Sequence, residues 1–149
     1  MPSKPVVLIT GAARGIGKAT AIEFAQRGYN VAVADLLADE VTAGSRQTEA
    51  AGAEVLPLAG DLTDLAFAES TVRETAAKWG RLDVLVNNAA WRELRNMRTI
   101  KIDSWDRTLR ICLTVPAFLT RWAAEVMQPQ GRGVVVNVSS MNSHFTAGF

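Results

Sequence analysis

The amino-acid sequence predicts an α/β fold built on a doubly wound parallel sheet of five strands, in the order 3-2-1-4-5. Five short apolar runs recur along the chain, and each is continuously apolar, as strands covered on both faces are. Segments with helical spacing separate these runs, so strands and helices alternate. We treat residues 1–149 as a single domain, because 149 residues are the length of one.

The elements follow from the apolar pattern. The predicted strands are Val6 to Ile9, Val31 to Ala34, Val55 to Ala59, Val84 to Val86 and Val134 to Val138. The clearest helix follows the third strand, since its apolar residues at positions 65, 68, 72, 76 and 79 keep helical steps. The helix after the fourth strand is expected to start at an Asp103 or Ser104 cap and to run to about Met127, with a kink near Val115 caused by Pro116.

The composition excludes several classes of protein. With 48% hydrophobic and 21% charged residues, the chain is too apolar for a disordered segment, and no apolar run approaches the ~20 residues of a membrane span. The net charge of +1 lacks the basic excess of nucleic-acid-binding proteins. A single cysteine and no secretory signal predict a reducing, cytoplasmic location. The single histidine, His144, has no ligand partners at suitable spacing, so no metal site is expected.

A glycine-rich turn directly follows the first strand. Residues 10–17 read T-G-A-A-R-G-I-G, with glycines at Gly11, Gly15 and Gly17. Glycines let the backbone turn sharply beside a phosphate, and the N-terminus of the next helix offers free N–H donors. The spacing differs from G-x-G-x-x-G, and Ala19 after Lys18 departs from the P-loop, which requires Ser or Thr. Kinase or GTPase chemistry is therefore disfavoured, and the turn is interpreted as a site for a pyrophosphate; a tight turn without a ligand is the alternative.

Asp35 ends the second predicted strand. At this point an acidic side chain can accept a hydrogen bond from the 2′-hydroxyl of an adenosine ribose, and its charge repels a 2′-phosphate. Arg14 acts in the opposite direction, because a guanidinium in the glycine turn can hold that phosphate. We expect NAD to be preferred over NADP because of Asp35, and a turn or capping aspartate is the alternative.

These residues and several later segments resemble the classical short-chain dehydrogenase/reductases, whose fold is Rossmann-like. Residues 10–17 are similar to the family's T-G-x-x-x-G-x-G turn, residues 61–63 to its adenine-contacting segment, and residues 87–90, N-N-A-A, to its N-N-A-G motif. Residues 80–86 and 136–140 also resemble family segments in order and spacing. The resemblance implies an oxidoreductase that transfers hydride between a nicotinamide dinucleotide and a secondary alcohol or ketone.

The resemblance also implies which residues hold the cofactor. They are Thr10, Gly11, Arg14, Gly15, Ile16 and Gly17 in the glycine turn, Asp35 and Leu36 at the ribose, Asp61 and Leu62 at the adenine, and Asn88, Ala89 and Ala90 along the nicotinamide half. Ala90 replaces the family's glycine, so the loop there must accommodate a Cβ atom.

Two residues fall at catalytic positions of the family. Ser140 matches the serine that steadies the substrate oxygen, and Cys112 stands where the family has the asparagine of a proton relay. A thiol is a weak donor, so the relay is expected to be weakened. The alternative is that Cys112 is a small buried hydrophobe on the helix face of Trp105, Leu109 and Pro116.

The family's Tyr-x-x-x-Lys pair does not occur in the sequence. Its one tyrosine is Tyr29, and no lysine follows Lys101. The chain alone is therefore expected to be inactive, and residues 1–149 to be the first part of a longer protein that lacks its C-terminal catalytic segment. The predicted order also leaves the apolar fifth strand at a sheet edge. We expect more chain or another copy on that edge, and a homo-oligomer, dimer or tetramer, when the protein is complete.

A basic run follows the N-N-A-A segment. Arg92, Arg95, Arg98 and Lys101 recur every three residues, which predicts one basic helical face close to the cleft. A solvated surface is the simpler interpretation, and an acidic substrate attracted by these charges is the alternative. Three functions stay open: a nicotinamide-dependent alcohol dehydrogenase or ketone reductase, an NAD(H)-binding module without chemistry, and a structural α/β domain that binds no dinucleotide.

Overall fold

A computed structural model describes residues 3–93 and 95–140 and has five parallel strands in one sheet. The strands are β1 (Val6–Thr10), β2 (Asn30–Asp35), β3 (Val55–Ala59), β4 (Val84–Asn87) and β5 (Val134–Asn137). The helices are α1 (Gly15–Gln26), α2 (Ala38–Ala50), α3 (Leu65–Trp79), α4 (Ile102–Leu109) and α5 (Val115–Met127). The strand order is β3-β2-β1-β4-β5, which confirms the predicted order and fold class.

The side chains of β1 divide between the two faces of the sheet. Val7 and Ile9 point to the face covered by α1 and α2, where Val41 of α2 completes the packing. Val6 and Leu8 point to the opposite face, which α3 and α5 cover. These four side chains of β1 are completely buried. Burial on both sides is why the strands read as continuous apolar runs.

The apolar stripe predicted for the third helix lies against the second of these faces. Ala68 and Val72 of α3 are fully buried, while Leu65 and Trp79 pack against the same core from the ends of the helix. The helix begins at an Asp64 cap, whose side chain accepts from the Ala66 N–H. The periodic stripe is a local signal, which is why the sequence located the helix.

The long helix predicted after β4 differs in the structure. It begins at Ile102 rather than at an Asp103 or Ser104 cap, and it contains a π-helical turn, Arg110–Thr114, before α5. In this turn the Val115 N–H donates to the Arg110 carbonyl, five residues earlier. Pro116 has no N–H, and its ring would crowd the carbonyl four residues before it, so a widened turn accommodates it without ending the helix.

The predicted basic helical face is wrong. Among the described residues from 92 to 101, the chain forms a turn at 97–99 and no helix. The Asn96 side chain accepts from the Arg98 N–H at 3.0 Å, and the Asn96 carbonyl accepts from the Thr99 N–H at 3.0 Å. An asparagine that bonds the backbone two residues ahead competes with helix formation.

Candidate functional site

A cleft of about 320 Å³ opens where β1 to β4 end. This is the edge at which doubly wound sheets bind ligands. The residues proposed from the sequence that line it are Gly11, Arg14, Asp35, Leu36, Asp61, Leu62, Asn88, Ala89 and Ala90. The wall also contains Thr63, from the segment compared above with the family's adenine-contacting segment. The lining residues that the sequence did not indicate are Leu37, Gly60, Trp91, Arg107 and Ile111.

The glycine turn interlocks with the loop after β4. Gly11 has a φ of +64°, which favours glycine, and its N–H donates to the Ala34 carbonyl at 2.8 Å. A Cβ on Gly11 would lie 2.8 Å from the Ala89 Cα, and one on Gly17 would lie 2.6 Å from the Asn88 Nδ2. Both glycines are therefore required by the close approach of the two loops.

Thr10 and Asn88 hold the two loops together. The Thr10 hydroxyl oxygen accepts from the backbone N–H groups of Asn88 and Ala89, each at 3.1 Å. The Asn88 Nδ2 donates in return to the carbonyls of Thr10 and Gly11, each at 3.0 Å. Thr10 is 1% exposed and does not line the cleft, so its hydroxyl supports the cleft from behind.

The N-terminus of α1 carries the other predicted residues of the glycine turn. The helix begins at Gly15, and the Arg14 before it makes no side-chain capping bond. The first N–H groups of any helix, here from Gly15, Ile16 and Gly17, have no acceptor within the helix and attract anions. Gly15 has a φ of +56°, and a Cβ there would meet nothing within 4 Å. Open backbone of this kind fits a phosphate group.

Asp35, at the end of β2, stabilises the glycine turn through hydrogen bonds. One carboxylate oxygen accepts from the Ala13 N–H at 3.0 Å, and the other accepts from the Leu37 N–H at 3.2 Å. Each oxygen keeps a further lone pair. The carboxylate lies on the cleft wall, so it can accept from a ligand hydroxyl while it orders the turn.

Asp61 and Leu62 follow β3 on the wall of the cleft. The backbone N–H of Thr63, which donates to the Asp61 carboxylate at 2.9 Å, holds the pKa of Asp61 below its ordinary value, and burial opposes this only in part. Asp61 is therefore ionised near neutral pH. Leu62 is 4% exposed and Ile111 is 8% exposed, so they supply apolar wall between the charged groups.

Trp91 and Arg107 form a part of the wall that the sequence did not reveal. The Arg107 guanidinium lies over the Trp91 ring, 5.0 Å from its centroid. Trp91 directly follows the N-N-A-A segment, and Arg107 precedes Ile111 by one helical turn. Those spacings are the signals that could have placed both residues at the cleft.

The two proposed catalytic residues lie outside the cleft wall. Ser140 follows β5 and is exposed. Cys112 lies in the π-helical turn and is exposed, with its thiol donating weakly to the Trp91 carbonyl at 3.8 Å. The alternative that Cys112 is a small buried hydrophobe is wrong, because its neighbour Ile111 is the residue that faces the core. Ala90 is exposed and has no positive φ, so the loop accommodates its Cβ.

Comparison with known proteins gives the family. The sequence matches the short chain dehydrogenase family over residues 5–148. The chain belongs to this family. Short-chain dehydrogenases are oxidoreductases that bind nicotinamide dinucleotides. The chain is 39% identical to an uncharacterized oxidoreductase of Thermotoga maritima, over 91% of this chain and 53% of that protein. It is 35% identical to the 3-oxoacyl-(acyl-carrier-protein) reductase FabG of the same organism, over 91% and 55%.

The short-chain dehydrogenase fold also appears among solved structures. A crystal structure of a short-chain type dehydrogenase/reductase from Mycobacterium marinum superimposes with a TM-score of 0.91 and 27% identity, covering 97% of this chain and 57% of that one. The chain thus spans just over half the length of these short-chain dehydrogenases. In the described ranges, no helix has the length and apolarity to cross a membrane. The same residues contain no group of three or more acidic, histidine or cysteine side chains that could hold a metal.

Proposed function

We propose that the chain is the dinucleotide-binding part, a single domain, of an oxidoreductase that transfers hydride between NAD and a secondary alcohol or ketone. The observation that carries the proposal is the meeting of three features at one cleft. These are Gly11 and Arg14 in the turn that leads into the uncapped N-terminus of α1, the Asp35 carboxylate at the end of β2 and the Asp61 carboxylate after β3. One phosphate-binding end and two hydrogen-bond acceptors fit a dinucleotide.

Each residue has a proposed part in binding. The first-turn N–H groups of Gly15, Ile16 and Gly17 bind the pyrophosphate, with Gly11 beside them and Thr10 supporting the turn. Asp35 and Leu36 hold the ribose, and the Asp35 charge favours NAD over NADP. Asp61 and Leu62 hold the adenine, and Asn88, Ala89 and Ala90 line the nicotinamide half. Arg14, exposed at the turn, adds a positive charge near the phosphates.

The cofactor supplies the hydride chemistry when it is bound. Ser140 donates a hydrogen bond to the substrate oxygen and so holds it at the nicotinamide end. Cys112 stands at the relay position, where its thiol is a weak donor compared with an amide. The family resemblance and the single cysteine support a cytoplasmic enzyme, and the complete protein is proposed to act as a dimer or tetramer.

A second candidate is an NAD(H)-binding module without chemistry. Tyr29, the one tyrosine, precedes β2 at the end of the sheet away from the cleft, and its ring packs edge-on against Phe24 with centroids 4.9 Å apart. A phenol in that place cannot exchange a proton with a substrate in the cleft. Turnover separates the candidates. Fusing the chain to the C-terminal half of the Thermotoga maritima 3-oxoacyl-(acyl-carrier-protein) reductase FabG should give reduction of a 3-oxoacyl substrate only under the first.

Binding of NADH and NADPH to the chain, measured by fluorescence titration, tests the proposal. We expect the chain to bind NADH more tightly than NADPH. Asp35→Asn should lower the affinity for NADH by about tenfold, because a hydrogen bond to a charged group contributes ~1.5–3 kcal/mol. The same substitution should raise the affinity for NADPH relative to that for NADH, since it removes the charge that repels the 2′-phosphate.

Glu49→Gln on the exposed side of α2 is the matched control, because it removes one carboxylate far along the helix from the cleft. It should leave both affinities unchanged. A wild-type chain that is folded by circular dichroism but binds neither cofactor would contradict the proposal. A preference for NADPH, or a ratio that Asp35→Asn does not alter, would contradict the assignment of NAD.

A further inference from the structure

Arg107 has a charged side chain without a hydrogen-bonded partner among the described residues. Its guanidinium contacts the Trp91 ring and is too far from Asp61 to form an ion pair, although its charge contributes to the low pKa of that carboxyl. Arg110, one turn further along, differs because its Nε donates to the Thr63 carbonyl at 3.1 Å. The Arg107 donors and one face of its planar group are therefore available to a ligand.

The position of Arg107 assigns it to one part of the cleft. It lines the cleft together with Asp61 and Thr63, and it borders a shallow adjoining depression that contains the same two residues. Asp61 and Thr63 belong to the segment that follows β3, so Arg107 lies at the part of the cleft that this segment lines. In the proposed function this part holds the base of the dinucleotide.

The loop that carries Trp91 is attached to the π-helical turn and to α4. The Cys112 thiol contacts the Trp91 carbonyl, and the Glu93 carboxylate accepts from the Ser104 hydroxyl of α4 at 2.7 Å. The bond from Ser104, followed by that from Arg95, lowers the pKa of Glu93, so this attachment is charged at neutral pH. These two contacts restrain the backbone that carries the Trp91 ring beneath the guanidinium.

We propose that Arg107, stacked on Trp91, is a specificity-determining residue for the planar base of the dinucleotide. The guanidinium presents one face to the indole and stacks on the base with the other, because a planar, weakly hydrated cation is attracted to π-faces. Asp61 beside it accepts from an exocyclic amine of the base, and Leu62 and Ile111 supply the apolar surface. This inference rests on the proposed function, since it requires a dinucleotide in the cleft.

Calorimetric titration of the 149-residue chain with two halves of the cofactor tests this inference. The probes are ADP-ribose, which contains the base, and reduced nicotinamide mononucleotide, which does not. We expect Arg107→Met to lower the affinity for ADP-ribose by about threefold to tenfold, which is the size of a cation–π contact. The affinity for the mononucleotide should not change. Arg107→Lys should also weaken ADP-ribose binding, because lysine keeps the charge but has no planar face to stack on the base.

Arg46→Met, on the exposed side of α2, is the matched control and should bind both probes like the wild type. Equal losses for both probes, or Arg107→Lys with wild-type affinity, would overturn the inference in favour of simple charge attraction. Unchanged ADP-ribose affinity in Arg107→Met would overturn it as well. If the wild-type chain binds neither NADH nor ADP-ribose, the proposed function fails first, and that outcome is distinct from a failure confined to the Arg107 variants.

Discussion

At the residue scale, the buried hydroxyl of Thr10 fixes the loop after β4 against the glycine turn. The Thr10 side chain accepts from two successive backbone N–H groups in the loop after β4. The sequence placed Thr10 in the cofactor site, whereas its 1% exposure makes it a support for that site. The motif indicated that Thr10 belongs to the site. The direction of its side chain in the structure shows that it contacts the loop after β4 and not the cleft.

Thr10→Val removes this hydroxyl without changing the volume of the side chain. We expect a loss of about 1–3 kcal/mol in the free energy of unfolding, because the Asn88 and Ala89 N–H groups would lose their acceptor. Thr10→Ser is the matched control, since it keeps the oxygen and loses only a methyl group. Urea denaturation followed by circular dichroism measures both. A valine variant as stable as the serine variant would contradict the assigned role.

At the element scale, Asp83 joins the beginnings of three strands. Its carboxylate accepts from the Val6 N–H at 2.8 Å, its N–H donates to the Val6 carbonyl, and its carbonyl accepts from the Val134 N–H. Arg81 pairs with the same carboxylate at 2.6 Å, and the two side chains are 18% and 11% exposed. Burial raises the pKa of Asp83, but the bonds from Arg81 and Val6 outweigh it and hold the pKa below 3.8.

Asp83→Asn should lower the free energy of unfolding by about 2–4 kcal/mol at pH 7, because it leaves Arg81 without its charged partner in a largely buried place. The folded pKa lies below the unfolded one, so the charge stabilises the fold above pH 3.8 and this contribution is lost as the pH falls through the folded value. The difference between variant and wild type should therefore shrink in acid. Denaturation at several pH values measures this difference, with Glu74→Gln, at an exposed position, as the control. A difference that stayed constant with pH would contradict the prediction.

Which elements the sequence located, and which it did not, has a physical reason. The strands and α3 were located because their signals are local: apolar runs and a stripe of helical period. The π-helical turn before Pro116 and the Asn96 turn were not located. Both depend on how one residue competes with helical hydrogen bonding, which a hydrophobic period does not record.

At the scale of the whole molecule, β5 forms one edge of the sheet that the structure describes. Val134 is 55% exposed and Val136 is 43% exposed, while Val135 packs against the core on the α5 side. The helices α1 and α2 cover the other face over β1 and β2, so the outward valines of β5 are left in solvent. An exposed apolar edge strand is a template for pairing with another chain.

The 149-residue chain should therefore self-associate as its concentration rises. Val136→Lys should reduce this association without changing the circular dichroism spectrum, because a charge on an edge strand opposes pairing. Met97→Lys is the control, since Met97 is 76% exposed in a loop away from the sheet. Light scattering across a concentration series measures the mass. A wild-type chain that stays monomeric at high concentration, or equal effects of both lysines, would contradict the role of this edge.

The sequence by itself predicted the strand order and the glycine turn, and it placed Asp35 at a strand end beside the expected cleft, whereas Asp61 was implied by the family resemblance. It could do so because alternating strands and helices with right-handed crossovers allow few topologies, and strand ends in such a sheet meet at one edge. Only the tertiary structure decided that Arg107 stacks on Trp91, that Cys112 is exposed and that Thr10 supports the cleft from behind. Those facts depend on side-chain directions and on contacts between residues far apart in the chain, which no local pattern encodes.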